Sequence, residues 1–155
     1  MTKDILVKIS GMQFTADNND PNEPEPVEII APGEYYYKNG RHYILYDEFM
    51  EGFDTVTKNV LKLKGDSLEI TKRGSSNVHM VFEKDKKNMT CYTTPFGSLM
   101  MGIDARRILV EESEEEIYAQ VEYALDINYE HLADCTISLR VQPKKLSAGS
   151  CLEQQ

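Results

Sequence analysis

Between residues 115 and 130 the chain separates into two interleaved sets. Ile117, Ala119, Val121, Tyr123, Leu125, Ile127 and Tyr129 fall on one parity; Tyr118, Gln120, Glu122, Ala124, Asp126, Asn128 and Glu130 fall on the other. Successive side chains of a pleated strand point to opposite sides, so a period of two sustained this long predicts an antiparallel strand with one apolar and one wet face. The alternation recurs in Ile5, Val7 and Ile9 and in Cys135, Ile137, Leu139 and Val141. Gly11 then moves the apolar parity to Met12 and Phe14, as a β-bulge would. No window carries the i, i+3, i+4, i+7 spacing of an amphipathic helix, and at most one helical turn fits around 47–54.

Turn chemistry cuts this pattern at short intervals. Asn39-Gly40 supplies the two positive-φ residues of a type I′ hairpin. Gly65-Asp66, Asp85-Lys86-Lys87-Asn88, Thr94-Pro95-Phe96-Gly97, the acidic run Glu111 to Glu116, and Tyr129 to Asp134 mark further reversals. Strands are expected near 3–14, 27–38, 41–49, 54–64, 67–73, 77–84, 88–94, 98–111, 116–129 and 134–143. Eight to ten strands joined by hairpins either stack two sheets or close a barrel. Closure removes exposed edges using local turns alone, so an up-and-down antiparallel β-barrel is the expected architecture. It occupies residues 1–145 as one domain, with a polar, proline-broken loop at 15–26 and a flexible tail at 146–155.

Composition narrows the function classes. The 155 residues are 41% hydrophobic and 28% charged, which suits a soluble globular domain. No apolar run approaches the roughly 20 residues of a membrane span, and Lys3-Asp4 stands where an export signal would need apolar residues. A cytoplasmic protein with no membrane partner is the expectation. The net charge of −9 opposes nucleic-acid binding. Lys84, Lys86 and Lys87 read as solubilising charges at a hairpin tip. Cys91, Cys135 and Cys151 are odd in number and lack CxxC spacing, which points to free thiols.

The punctuation is more specific than the period. Ala31-Pro32-Gly33-Glu34-Tyr35-Tyr36, Tyr46-Asp47-Glu48 with Gly52, Thr71-Lys72-Arg73-Gly74, Met80-Val81-Phe82, Tyr92-Thr93-Thr94-Pro95-Phe96-Gly97 and Val121 to Asn128 follow one another across residues 3–143. In this order and spacing the chain resembles the YwiB-like family of uncharacterised bacterial proteins. The resemblance implies a calycin-type, lipocalin-like barrel and brings no established activity. Lipocalins proper carry Gly-x-Trp in the first strand, whereas this chain has Gly11-Met12-Gln13 and no tryptophan, so ligand transport is not inherited from them. Ala105 stands where the family's threonine is expected.

No motif of catalysis is present. His42, His79 and His131 lie on separate elements without ligand spacing and read as surface or capping residues, with no metal or cofactor implied. Asp47, Glu48, Glu51 and Asp54 cluster around Gly52 and read as solvated hairpin acids. Ser75-Ser76 lacks a nucleophile elbow, no His–acid pair is identifiable, and neither GxxxxGK[ST] nor GxGxxG occurs. Cys91 shares parity with Met89 and Thr93 and is expected to pack inward.

Two functional hypotheses remain. The first is a non-enzymatic barrel that binds a small, partly apolar ligand in its interior or mouth. Arg73, turned sharply by Gly74, would present its fork to an amphiphilic carboxylate, and Tyr92, Thr94, Met80, Met101 and Tyr123 would line the site. The second is a protein-interaction or self-associating module, a weak homodimer, that uses outward tyrosines and has a filled interior. Interior volume separates them.

Overall fold

The computed structural model describes residues 3–11, 28–49, 56–74, 77–94 and 96–144, with Thr94 described through its backbone alone. Ten strands make up these residues: β1 (Asp4–Ser10), β2 (Glu28–Lys38), β3 (Arg41–Phe49), β4 (Val56–Lys64), β5 (Ser67–Arg73), β6 (Val78–Glu83), β7 (Lys86–Thr94), β8 (Gly97–Glu112), β9 (Ile117–Ile127) and β10 (Glu130–Pro143). No helix occurs among the described residues, and none is long and apolar enough to cross a membrane. The expected bulge at Met12 and Phe14, the loop at 15–26, the tail at 146–155, Ser75-Ser76 and Cys151 lie outside the described residues.

All pairs are antiparallel, in the order β6-β5-β4-β3-β2-β1-β10-β9-β8-β7. Each strand therefore lies beside its sequence neighbour, except at β6 and β7, and the β1–β10 ladder joins the two halves. The result is a nearly closed barrel. Its seam runs between β6 and β7, held by a bridge in which the Asn77 and Thr93 amides each donate to the other's carbonyl, at 2.8 and 2.9 Å. The Asn88 side-chain amide donates to the Val81 carbonyl within the seam at 3.1 Å. The Asp85 amide donates instead to the Ala105 carbonyl, which steers the chain from β6 onto β8.

Local chemistry sets the corners. Asn39 and Gly40 have φ of 53° and 75°, the type I′ geometry their identities demand. The β9–β10 reversal is tighter than the sequence suggests. Asn128 and Tyr129 form it with φ of 51° and 72°, and β10 begins at Glu130, four residues before the expected start. The irregular register between His131 and Ala133 explains the difference, since it breaks the alternation that would have marked those residues as strand.

The inner face is a single apolar cluster from all strands except β7, which contributes the half-buried Tyr92. Ile44, Leu61, Ile70 and Met80 are cross-strand partners in one row over β3 to β6, and Phe82 meets Tyr123 edge-to-face at 5.0 Å. Water reaches at most 1% of any of these six side chains, so this belt is filled. Strand β7 departs from expectation. Met89 and Cys91 are exposed on the outer face, because apolar residues occupy both parities of this strand and the inward set is Asn88, Thr90 and Tyr92. Met89 has work outside: its Sδ lies 3.0 Å from where a Cβ on Gly102 would stand, covering that bare backbone.

Candidate functional site

One end of the barrel, reached by the last residues of β3 and β5 and the first of β4 and β6, carries polar groups on the inner face. Two residues along from Ile44, Leu61, Ile70 and Met80, the next row reads Tyr46, Asn59, Lys72 and Val78. Tyr46, Asn59 and Lys72 are 3%, 1% and 9% exposed, so three polar side chains stand where alternation would put aliphatic ones. Glu48 and Thr57 face each other one step nearer the end. Beside Thr57, Gly74 has φ of 154°, and a Cβ there would lie 2.6 Å from the Thr57 Cα, so only glycine lets β5 close over this corner.

Lys72 Nζ donates to Glu48 Oε1 at 2.9 Å, and both side chains are largely covered. The Asn59 amide nitrogen faces the same carboxylate oxygen at 3.5 Å and the Thr57 carbonyl at 3.4 Å. Two acceptors on one side assign the amide nitrogen there through two long contacts, since a flipped Asn59 would aim its own oxygen at both of them. Asn59 Oδ1 therefore points the other way, where it has no partner among the described residues, and the buried Tyr46 hydroxyl has none among them either. Burial, and then the nearby Glu48 charge, push the Tyr46 phenol well above its ordinary range and keep it a neutral donor. An unsatisfied buried polar group costs about 1–3 kcal/mol, and two of them meet at this end.

The residues expected to line a site fall in two places. Met80, Met101 and Tyr123 lie in the filled belt, with Tyr92 half-buried against it. Burial, and then the neighbouring Cys135 thiol, raise the Tyr123 phenol, and burial raises the thiol in turn. Arg73 ends β5 at the polar end, but it is exposed on the outer face opposite Lys58, while its neighbour Lys72 turns in. Thr94 pairs with Gly97 at the same end, and its side chain lies outside the described residues. Glu48 is not the solvated acid expected, because it shares parity with Ile44 and Tyr46 and meets Lys72 inside. Asp47 is outward, and Glu51 and Asp54 lie outside the described residues.

The opposite end holds a second polar chain that sequence reasoning missed. His42 is buried, not superficial: Tyr35 Oη lies 2.7 Å from its Nδ1, and Glu112 Oε2 lies 3.1 Å from its Nε2. Its parity with Ile44 was the available sign. Burial, then Glu112, then Tyr37 raise the Tyr35 phenol. Every ring atom that can bond is engaged, so this chain is a satisfied cap. His79 pairs outside with Glu69, and His131 with Asp126 and Asp134. Among the described residues no group of three His, Cys, Asp or Glu is placed to hold a metal ion. On the outer face of β2–β4 runs a groove of about 810 Å³, lined by Leu45 and Val60 with Glu34, Asp47, Phe49 and Lys58 among its edges.

With this geometry in place, comparison with known proteins adds the lineage. The profile of a domain of unknown function, DUF1934, matches residues 7–139. The chain belongs to this family. The crystal structure of the ywiB protein from Bacillus subtilis superposes with a TM-score of 0.74, at 17% identity, over 92% of this chain and 93% of that one. At that identity the likeness establishes the shared barrel. No curated protein matches the sequence.

Proposed function

We propose that this DUF1934 barrel is a non-enzymatic binder of a small ligand held at its polar end, by Tyr46, Asn59 and Lys72. The observation that carries the proposal is that two buried polar atoms without a partner among the described residues, Tyr46 Oη and Asn59 Oδ1, stand on neighbouring strands beside the largely covered Lys72–Glu48 pair. A fold pays such a cost where an occupant restores the missing bonds. The filled belt removes the interior as a ligand site and leaves the mouth; a filled interior is also what the self-association reading expects. The test is a fragment titration of the full chain followed by nuclear magnetic resonance. Because Tyr46 and Asn59 also border the outer groove, shifts at these two together with Lys72, with Leu45, Phe49 and Val60 unmoved, support the mouth. Shifts confined to outer residues such as Leu45 and Phe49 overturn it.

The outer groove supports a second function, weak self-association. Phe49 is 78% exposed, Ile30 on the neighbouring strand is also exposed, and the groove bears both acidic Glu34 and Asp47 and basic Lys58 and Lys144. Mixed charges around an apolar floor suit an isologous contact with a second copy. Sedimentation that remains monomeric at high micromolar concentration, unaltered by Phe49→Ser, removes this alternative.

A further inference from the structure

We infer that the group bound at the mouth is uncharged and presents a hydrogen-bond donor next to an acceptor, as a carboxamide or the edge of a cyclic lactam does. This deepens the proposal of a mouth site and rests on it. The inference starts from charge. The single cation facing inward in this row, Lys72, is already matched by Glu48 at 2.9 Å, so the two formal charges cancel. A carboxylate ligand would place a second anion beside Glu48, and a cationic one would stand beside Lys72. Either would surrender its hydration with no unmatched charge to receive it. Arg73, which could have received a carboxylate, is on the outer face.

The remaining valences define the rest. Asn59 Oδ1 is held away from Glu48 and Thr57 by the two contacts of its amide nitrogen, and an oxygen so placed can only accept. The ligand must therefore bring an N–H or O–H. Tyr46 carries a phenol kept neutral by its surroundings, whose hydrogen has nothing to bond, so the ligand must also offer a carbonyl-type acceptor. Tyr46 and Asn59 are direct cross-strand partners, so their Cβ atoms lie roughly 5 Å apart and the two side chains share one small volume. One head group that carries its donor and acceptor on adjacent atoms satisfies both. Both protein atoms are buried, so a head group reaches them only where the groups that cover them move aside.

Matched probes test this. Hexanamide and benzamide are titrated into the full chain beside hexanoate, benzoate and hexylamine, with dissociation constants read from chemical shifts at Tyr46, Asn59 and Lys72. The amides are expected to bind at least tenfold tighter than their carboxylates and amine. Tyr46→Phe, which keeps the ring, should weaken the amides about tenfold and leave the weak carboxylate binding unchanged. Carboxylates that move the same resonances with equal or higher affinity overturn the uncharged head group while leaving the mouth as the site. If no probe moves these three residues, the mouth itself is not a binding site and the inference fails with it.

Discussion

Two rows of side chains, two residues apart on the same strands, obey opposite rules. Ile44, Leu61, Ile70 and Met80 form a dry, fully apolar row in which nothing is left unpaired. Tyr46, Asn59, Lys72 and Val78 share the same face and the same pairing, yet this row carries a largely covered ion pair with Glu48 and two buried polar atoms with no partner among the described residues. Backbone geometry and strand neighbours are common to both, so the difference lies in side-chain chemistry alone. The first row is what makes a barrel stable. The second weakens it, as the proposed mouth site requires of groups left for an occupant to bond.

The comparison breaks most visibly through the dry row. Leu61→Asp places a carboxylate among residues that water cannot reach, at a cost of several kcal/mol, so the variant should lose its folded circular dichroism signal at room temperature. A variant that melts with the parent would show that the belt is wet. The polar row should respond less and in a coupled way. Lys72→Met strands the Glu48 carboxylate and should cost about 2 kcal/mol in urea unfolding, since Glu48 is partly able to rehydrate. Adding Glu48→Gln should recover most of that loss. Losses that simply add would mean that the pair is not coupled.

Alkaline unfolding gives a smaller effect with a definite sign. Tyr46 and Tyr123 both have phenols raised above their ordinary value, so the folded chain holds their protons after the unfolded chain has released them. Their titration leaves stability unchanged below pH of about 10 and lowers it as pH rises from there towards their raised values, by about 1.4 kcal/mol per pH unit for each phenol. Tyr46→Phe should make that decline shallower in pH-dependent melting. An unchanged slope would place the Tyr46 phenol in water.

Much of the barrel was legible because period two and turn residues are local signals. Asn39-Gly40 and the alternation from Ile117 to Ile127 needed no knowledge of the rest of the chain. The site was legible only in part. Lys72 has the parity of Leu68 and Ile70, and Asn59 that of Leu61 and Leu63, so their inward direction could have been deduced from polar residues on an apolar phase. Arg73 is the conspicuous charge beside Gly74, but its parity is outward. That Lys72 meets Glu48 across 24 positions was not readable, because it depends on the registers of β3, β4 and β5 together. On β7, apolar residues on both parities made direction undecidable without knowing that Gly102 leaves a bare patch for Met89 to cover.

The central claim is that the mouth row gives up stability to keep two bonding groups unpaired. Equilibrium urea unfolding of the ligand-free protein and of Tyr46→Phe at neutral pH tests it most directly. Deleting a buried hydroxyl that has no partner removes a desolvation penalty while leaving the ring's packing intact. The account predicts a midpoint shifted upward, by about 1 kcal/mol with an unchanged denaturant slope. A loss of 1 kcal/mol or more would show that the hydroxyl is already bonded in the resting protein and would contradict the account.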